Sequence, residues 1–413
     1  MLNRCNIFRQ FLAKSTGYAH RKKRFNKKTF FSLLLVFIII YIISSPLELL
    51  NLNKKADASM TRKDCIHYSH SEKSIIINCK SSNLSDIYTA LHNSSVLAKE
   101  KNGSWILNAN MRVKDDAKLF INSSDTNWLK INSPDKTPYH IQVEGSMQID
   151  STKITGWDTA TNTFPEIDKK GKHPRSFIEV LDYPVSKEGT NPRAKTDITD
   201  SEIAYLGYNE SNSFGLAYYS GNGSMIKGNN IHNLWYGFYS ANYEGRVFNI
   251  TVADNYVHNN SVYGIDPHTG THHLVIRNNT VFDNGKHGII CSQHCYAIII
   301  ENNTVFGNGK TGIMLDENIT RSIIRNNTIS DNVVQIAIQN ISNSNKVYYN
   351  QMGGGIAGIE INNGSASNIV RNNDVNNVVY GIYLPDPNAA DNNKISSNII
   401  TNATGMNIYK KIN

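Results

Sequence analysis

The chain reads as all-β: a right-handed parallel β-helix of about 24 residues per coil, with a short helical cap and an N-terminal membrane segment. Three observations lead there. The second residues of polar doublets recur at Asn230, Asn255, Asn279, Asn303 and Asn327, at intervals of 25, 24, 24 and 24. Glycines follow the same beat at Gly237, Gly264, Gly288, Gly312, Gly358, Gly381 and Gly405. Between them lie short β-branched runs, three per coil, as in Leu274-Val275-Ile276 and Thr280-Val281-Phe282. Helical repeats of this length need a sustained 3.6-residue period, which Asn-Asn and Gly would break. Stacked coils should lie roughly 4.8 Å apart. Equivalent asparagines then form an inward ladder. The same alignment puts Ile299 and Ile323 in the core.

The 413 residues are 40% apolar and 18% charged, enough for a large core and too apolar for global disorder. The net charge of +8 is local in origin. Residues 1–29 hold nine Lys or Arg and no acid, and the remainder balances 33 basic against 34 acidic residues. This distribution gives no reason to expect a nucleic-acid partner. The basic stretch precedes an apolar one, Phe30 to Ile43 with a weaker continuation to Leu50. That order places the N-terminus inside and the rest of the chain outside the cytoplasm. Residues 30–50 are a transmembrane anchor or a signal. The anchor is preferred because the small-residue stretch Ala56-Asp57-Ala58 lies far behind the apolar core.

In chain order, residues 1–29 form a cytoplasmic tail, 30–50 the anchor, 51–74 a linker, 75–135 a cap with the first strands, and 136–413 the β-helix with its groove. Ile75-Ile76-Ile77 is a strand. Asn83 or Ser85 caps a helix over Leu84 to Lys99, suited to covering the open end of a solenoid. Trp105–Leu107, Lys118–Ile121, Trp128–Ile131 and His140–Val143 are strands separated by turn residues. Residues 158–200, with Pro165, Pro174, Pro184 and Pro192, include insertion loops, which in solenoids gather on one face. Outside the cytoplasm cysteines oxidise, so Cys65–Cys79 and Cys291–Cys295 are expected disulfides and Cys5 is unpaired. The competing use of Cys291, Cys295, His287 and His294 is a metal site, with no second CxxC pair to support zinc. The sequons at Asn278, Asn302 and Asn326 coincide with the ladder turns. Asn93, Asn102, Asn122 and Asn209 are the better glycosylation acceptors.

One coil departs from the repeat. Tyr263-Gly264-Ile265-Asp266-Pro267-His268 stacks on Lys286-His287-Gly288-Ile289-Ile290-Cys291-Ser292, which stacks on Gly312-Ile313-Met314-Leu315-Asp316. Tyr263 lies over His287, and Tyr236 occupies the same register one coil earlier. His268 and Asp316 are two strand spacings apart, roughly 10 Å. A face of Tyr, His, Asp and Lys across stacked strands suits a linear polymer better than a compact metabolite. His268 can act as a base. Tyr263 can deliver a proton if a nearby charge lowers its pKa. Asp266 can orient His268, and Lys286 can neutralise a substrate carboxylate. Together these parts fit removal of the proton at C5 of a uronic acid, which is acidic only beside a neutralised carboxylate. Solvated turn residues with no catalytic role are the plain alternative.

The Tyr-Gly-x-Asp-Pro-His run, with Lys286-His287-Gly288-Ile289-Ile290 and Gly312 to Asp316, resembles the mannuronan (alginate) C5-epimerases over roughly residues 195–345. The resemblance implies a proton-transfer pair of His268 and Tyr263 on opposite faces of the sugar, supported by Asp266. It implies an anionic linear polysaccharide as partner, with mannuronate converted to guluronate. Two departures stand out. Gln293 occupies the position where periplasmic members have a substrate-binding arginine. The lysine that some secreted members carry one coil earlier has no match near Asn233 to Tyr239. Neutralisation then falls to Lys286, His287, His294 or Gln293, with Asp316 and Tyr236 also lining the groove. No cofactor is expected; calcium or another metal has no motif, since the Gly-Gly-x-Gly-x-Asp repeats of some secreted members are absent. The alternatives are a polyuronate lyase and a non-catalytic surface protein binding glycan or metal.

Overall fold

The computed structural model describes residues 62–411, apart from 135, 168–169, 182–193 and 244–246. The basic tail, the apolar segment 30–50 and Cys5 lie outside the described residues. No helix among the described residues is long and apolar enough to cross a membrane.

The described chain is a parallel β-helix of three sheets with 14, 13 and 11 strands. Nearly every strand pairs in parallel with its equivalent one coil on. The antiparallel exceptions come at the start, where Ile66–Ser69 pairs with Ser74–Ile77 and Leu97–Lys99 with Ser104–Leu107. Part of the expected linker is therefore the first strand of a hairpin. Cys65–Cys79 is a disulfide that closes it, with the Cα atoms 5.1 Å apart.

The cap helix is shorter than its sequence suggests. It spans Leu84–Leu91, opened by a capping box between Asn83 and Asp86 and ended by His92 in the left-handed region. Leu84 and Ile87 are buried beneath it. Val96 and Leu97, expected on its apolar face, are instead buried at the start of the antiparallel strand. Tertiary burial outweighs helical propensity at this point.

The Asn-Asn doublets have a division of labour. The first residue turns the chain at positive φ, as Asn278 (55°), Asn302 (56°) and Asn326 (55°) do. Asparagine tolerates this conformation better than most residues. The second residue points inward and is buried. Asn279 Nδ2 donates to Val252 O and to Asn303 Oδ1, both at 2.9 Å, and Asn279 N donates to the same Oδ1 at 2.9 Å. The ladder begins at Asn229, whose N donates to Asn255 Oδ1. Asn230 is exposed, so the first interval is one residue longer than the doublet count suggests. A second ladder runs through Asn260, Asn284, Asn308 and Asn332 and ends on Gln335. The sequon asparagines Asn93, Asn102 and Asn122 each close a turn onto the serine of their own sequon.

The core is one continuous apolar column from Cys65 to Ala389. Ile265, Ile289, Ile313 and Ile336 stack in one register and are all fully buried. Each such side chain stabilises by about 1.5–3 kcal/mol relative to exposure. In the neighbouring sheet the inward residues are Ile300 and Ile324, not Ile299 and Ile323, which are half-exposed. A one-residue shift reverses the face, and the uninterrupted run Ile298-Ile299-Ile300 hides the phase. The glycine beat has a steric cause: a Cβ on Gly264 would lie 2.6 Å from Gly288 O, and one on Gly288 would lie 2.8 Å from Gly312 O.

Candidate active site

The odd coil contributes the six-residue strand Tyr263–His268 to the 14-stranded sheet. Ile265 points into the core, and Pro267 is in register with Ser240 on the inward side. Alternation then leaves Asp266 and His268 on the outer face. Gly264 also faces inward, toward Val281 and Asn284, and this break in the alternation returns Tyr263 to the outer face. Tyr236 pairs with Tyr263 and Tyr263 with His287, as the glycine alignment implies. The three rings form a column. Tyr236 stacks on Tyr263 at 5.0 Å and 13°, and Tyr263 meets His287 at 5.3 Å. Ser292 pairs with Asp316, whose Oδ1 accepts from Gln339 Nε2 at 3.2 Å and Asn340 Nδ2 at 2.7 Å. The outer face is apolar on both sides of these polar groups. Ile290, Met314 and Ala337 pack downstream against Tyr263. Phe214, Tyr219, Tyr236 and Tyr239 cluster upstream. Alternation along the strands carried the signal for these residues, but their apolar character reads as core in the sequence.

Electrostatics assigns protonation states. Asp266 is fully buried, and burial pushes its carboxyl well above the ordinary value, against a smaller opposing effect of its hydrogen bond from Ser292. Ser292 Oγ donates to Oδ1 at 3.2 Å, while Oδ2 is buried without a partner. The neutral acid is thus favoured, and it adds no negative charge to this face. Burial lowers His268 below its ordinary value, so the ring is a neutral base at pH 7. Tyr263 is pushed up to about 12, by burial first and to a smaller extent by Asp266 and Asp316. The expectation that a nearby charge lowers it is corrected: the phenol is held protonated. Burial, Lys310 and Lys286 bring His287 down to about 4. It carries no charge at neutral pH.

Other sequence candidates separate. Lys286 stands beside the site, its Nζ 6.0 Å from the Tyr263 ring centre. Lys310, missed in the sequence, lies one coil on, its N donating to Lys286 O at 2.6 Å. His268 is not held by Asp266; its Nδ1 lies 2.6 Å from Thr269 Oγ1. His294 is turned outward, with Nδ1 3.0 Å from Asn318 Nδ2. Cys291 and Cys295 are free thiols rather than a disulfide. Both belong to the core column, Cys291 because its strand position faces inward. Cys295 Sγ donates to Ser292 O at 3.1 Å. The supposed metal set therefore splits between core, outer face and turn. Among the described residues no three of His, Cys, Asp or Glu gather as a metal-holding group.

A family described as "Periplasmic copper-binding protein (NosD)" matches residues 195–357. The donor set just described does not fit a copper ion. Mannuronan C5-epimerase of Pseudomonas putida is 30% identical over 148 residues, 32% of this chain and 25% of that protein. The enzyme of the same name from Pseudomonas syringae pv. tomato is 29% identical over 172 residues, 39% of this chain and 31% of that protein. The chain thus spans a quarter to a third of the length of these curated relatives. The crystal structure of the periplasmic alginate epimerase AlgG superposes with a TM-score of 0.67 at 23% identity, over 81% of this chain and 85% of that one. The A-module of an Azotobacter vinelandii mannuronan C-5 epimerase gives 0.55 at 14% identity, over 81% and 94%. The chain therefore shares its β-helix fold with the alginate epimerases and, over about a third of its length, is similar in sequence to the mannuronan C5-epimerases.

Proposed function

We propose that this protein is an isomerase that inverts C5 of uronic acid residues inside an anionic linear polysaccharide, converting mannuronate-type to guluronate-type residues. The observation that carries the reading is the outer row of Tyr263, Asp266 and His268 on one rigid strand, with a protonated phenol and a neutral imidazole at its two ends. In this reading His268 takes the C5 proton, and the electron pair of the C–H bond moves into the carboxylate. Tyr263 then gives its phenolic proton to the opposite face of C5. Solvent returns a proton to Tyr263 and removes one from His268, so the enzyme is unchanged after each turnover.

The intermediate carries extra charge on the substrate carboxylate and needs a cation there. His287 is neutral, His294 faces away, and Gln293 is engaged by Thr269. Lys286 is the remaining candidate from the sequence. The aromatic and aliphatic surfaces on either side suit the apolar faces of neighbouring sugars. The Cys65–Cys79 disulfide supports a location outside the cytoplasm, in line with the charge order of the N-terminus. Membrane attachment through residues 30–50 and glycosylation at Asn209 belong to this proposal too.

The test is proton NMR of poly-mannuronate incubated with the full-length protein in heavy water, beside His268→Gln and Tyr263→Phe. New guluronate signals lacking their C5 proton, lost in both variants, are the expected result. Unsaturated chain ends would instead assign a lyase, and absence of any change would overturn the reading.

A further inference from the structure

Gln293 has a partner inside the site, and that partner touches the base. His268 Nδ1 lies 2.6 Å from Thr269 Oγ1, and Thr269 Oγ1 donates to Gln293 Oε1 at 3.2 Å. An amide oxygen only accepts. A threonine hydroxyl has one proton to donate and lone pairs to accept with. With that proton directed to Gln293, the hydroxyl can only accept from the imidazole. Nδ1 must then carry the single proton of the neutral ring, and Nε2 is left with its lone pair. Nε2 makes no hydrogen bond among the described residues.

The backbone holds this chain in place. Thr269 N donates to Ser292 O at 3.1 Å, Gly270 N to Gln293 O at 2.7 Å, and Gln293 N to Asp316 O at 3.1 Å. Three successive coils are thereby tied at one turn. Thr269 has φ 41° and Gln293 φ 55°. Positive φ is unusual for a β-branched residue such as threonine, and strain of this kind persists where the surroundings over-determine it. Gly270 follows directly at φ 69°, so the turn has a residue suited to that region and still keeps threonine beside the histidine.

We propose that Thr269 and Gln293 are positioning residues that fix the tautomer of His268, with the proton on Nδ1 and the lone pair of Nε2 free to remove the substrate proton. This assigns Gln293 to the base rather than to the substrate carboxylate. What the base does rests on the epimerase reading; the tautomer is a property of the resting protein and is measured without substrate.

The experiment is nitrogen NMR of the full-length protein labelled with 15N-histidine, the His268 signals being identified by their loss in His268→Gln. The expected spectrum has Nδ1 protonated and Nε2 unprotonated. Thr269→Val keeps the β-branch and removes the hydroxyl, and it should move the proton toward Nε2. Its kcat on poly-mannuronate should fall about 10-fold to 100-fold, with KM unchanged. Thr269→Ser should restore both the tautomer and kcat. Gln293→Glu retains an acceptor and should keep the wild-type tautomer, whereas Gln293→Leu should lose it. A wild-type ring protonated on Nε2 would overturn the proposal, since the hydroxyl would then be donating to Nδ1 from the opposite amide orientation. So would a tautomer indifferent to Thr269→Val in a protein with native circular dichroism. A correct tautomer without epimerisation would refute the epimerase reading and leave this proposal standing.

Discussion

Replacing Asn303 by alanine tests whether the polar ladder holds the coils together. Asn303 is 1% exposed. Its Nδ2 donates to Ile276 O and Asn327 Oδ1, both at 3.0 Å. Its Oδ1 accepts from Asn279 N and Asn279 Nδ2, both at 2.9 Å. Alanine removes all four bonds and leaves the buried Asn279 N–H without a partner. Four bonds at about 1 kcal/mol each give about 4 kcal/mol of destabilisation, and an unpaired buried donor raises rather than lowers that figure. The control is one residue from the equivalent doublet, Asn278→Gly. Asn278 turns the chain at φ 55°; its side chain bonds Asp254 at the surface, and its backbone bond to Glu301 O survives the substitution. Glycine accepts that conformation, so the change should stay within about 0.5 kcal/mol. Urea unfolding of the full chain, followed by circular dichroism, reads both. Each coil contacts mainly its neighbours, so the loss should appear as an earlier midpoint or as a separate early transition. If Asn303→Ala unfolds within 1 kcal/mol of Asn278→Gly, the ladder does not carry the stability argued here.

Three further outcomes follow from the same geometry. The folded state favours neutral Asp266, so the stability it contributes is fully present below the ordinary aspartate value of 3.8 and is lost as pH rises through the raised folded value. Asp266→Asn removes that loss, so its melting-temperature advantage over wild type should grow from pH 4 to pH 8; an advantage independent of pH would refute the buried titration. Lys286→Met should lower kcat/KM on poly-mannuronate about 10-fold to 100-fold, the equivalent of one charge-assisted hydrogen bond, and an unchanged value would move the neutralising role to Lys310. Arg175, 1% exposed, donates to the carbonyls of Gly207, Asn233 and Leu206 at 2.8, 3.0 and 2.9 Å; Arg175→Met should destabilise by about 3 kcal/mol or more, and a thermal transition close to wild type would show that water satisfies those carbonyls.

How far the sequence spoke depended on whether a residue's role was set by its place in the repeat. Tyr263 over His287, Tyr236 over Tyr263 and Ser292 beside Asp316 all follow from aligning glycines, because a 24-residue period fixes register once the strands are parallel. The Cys65–Cys79 bridge was legible from compartment and spacing. The Cys291–Cys295 pair was not, because both positions face the core, where a thiol packs as a small apolar group. Ile299 was misassigned because Ile298-Ile299-Ile300 has no alternation from which to read a face. Ser322-Ile323-Ile324 held the correction: Ser322 is buried because its Oγ accepts from Ile298 N at 3.1 Å, which throws Ile323 outward. The partner of His268 was out of reach for another reason. The 24-residue period sets Thr269 beside Gln293, but it does not show the left-handed turns at both positions that bring their side chains together.

A solenoid confines invention to its outer columns. Inward positions are set by the apolar stack and the asparagine ladders, and a polar group there without a partner would be costly. Outward positions carry no such constraint, yet stacking still fixes their spacing. The outer face can therefore change character from coil to coil without altering the fold. It does so here: aromatic at Phe214, Tyr236 and Tyr239, protonic at Tyr263, Asp266 and His268, aliphatic at Ile290, Met314 and Ala337. Lys286 and Lys310 stand at one edge of this surface on successive coils, and His268 and Asp316 at the other. In the proposed reading, a polymer lying along the stack would meet cations on one side and His268 on the other. That asymmetry bears on the choice of reaction. Inversion at C5 needs the carboxylate drawn to one side and the hydrogen presented to the other. A neutral, buried Asp266 between them adds no negative charge to the strand, which is what the proposed binding of a carboxylate there requires.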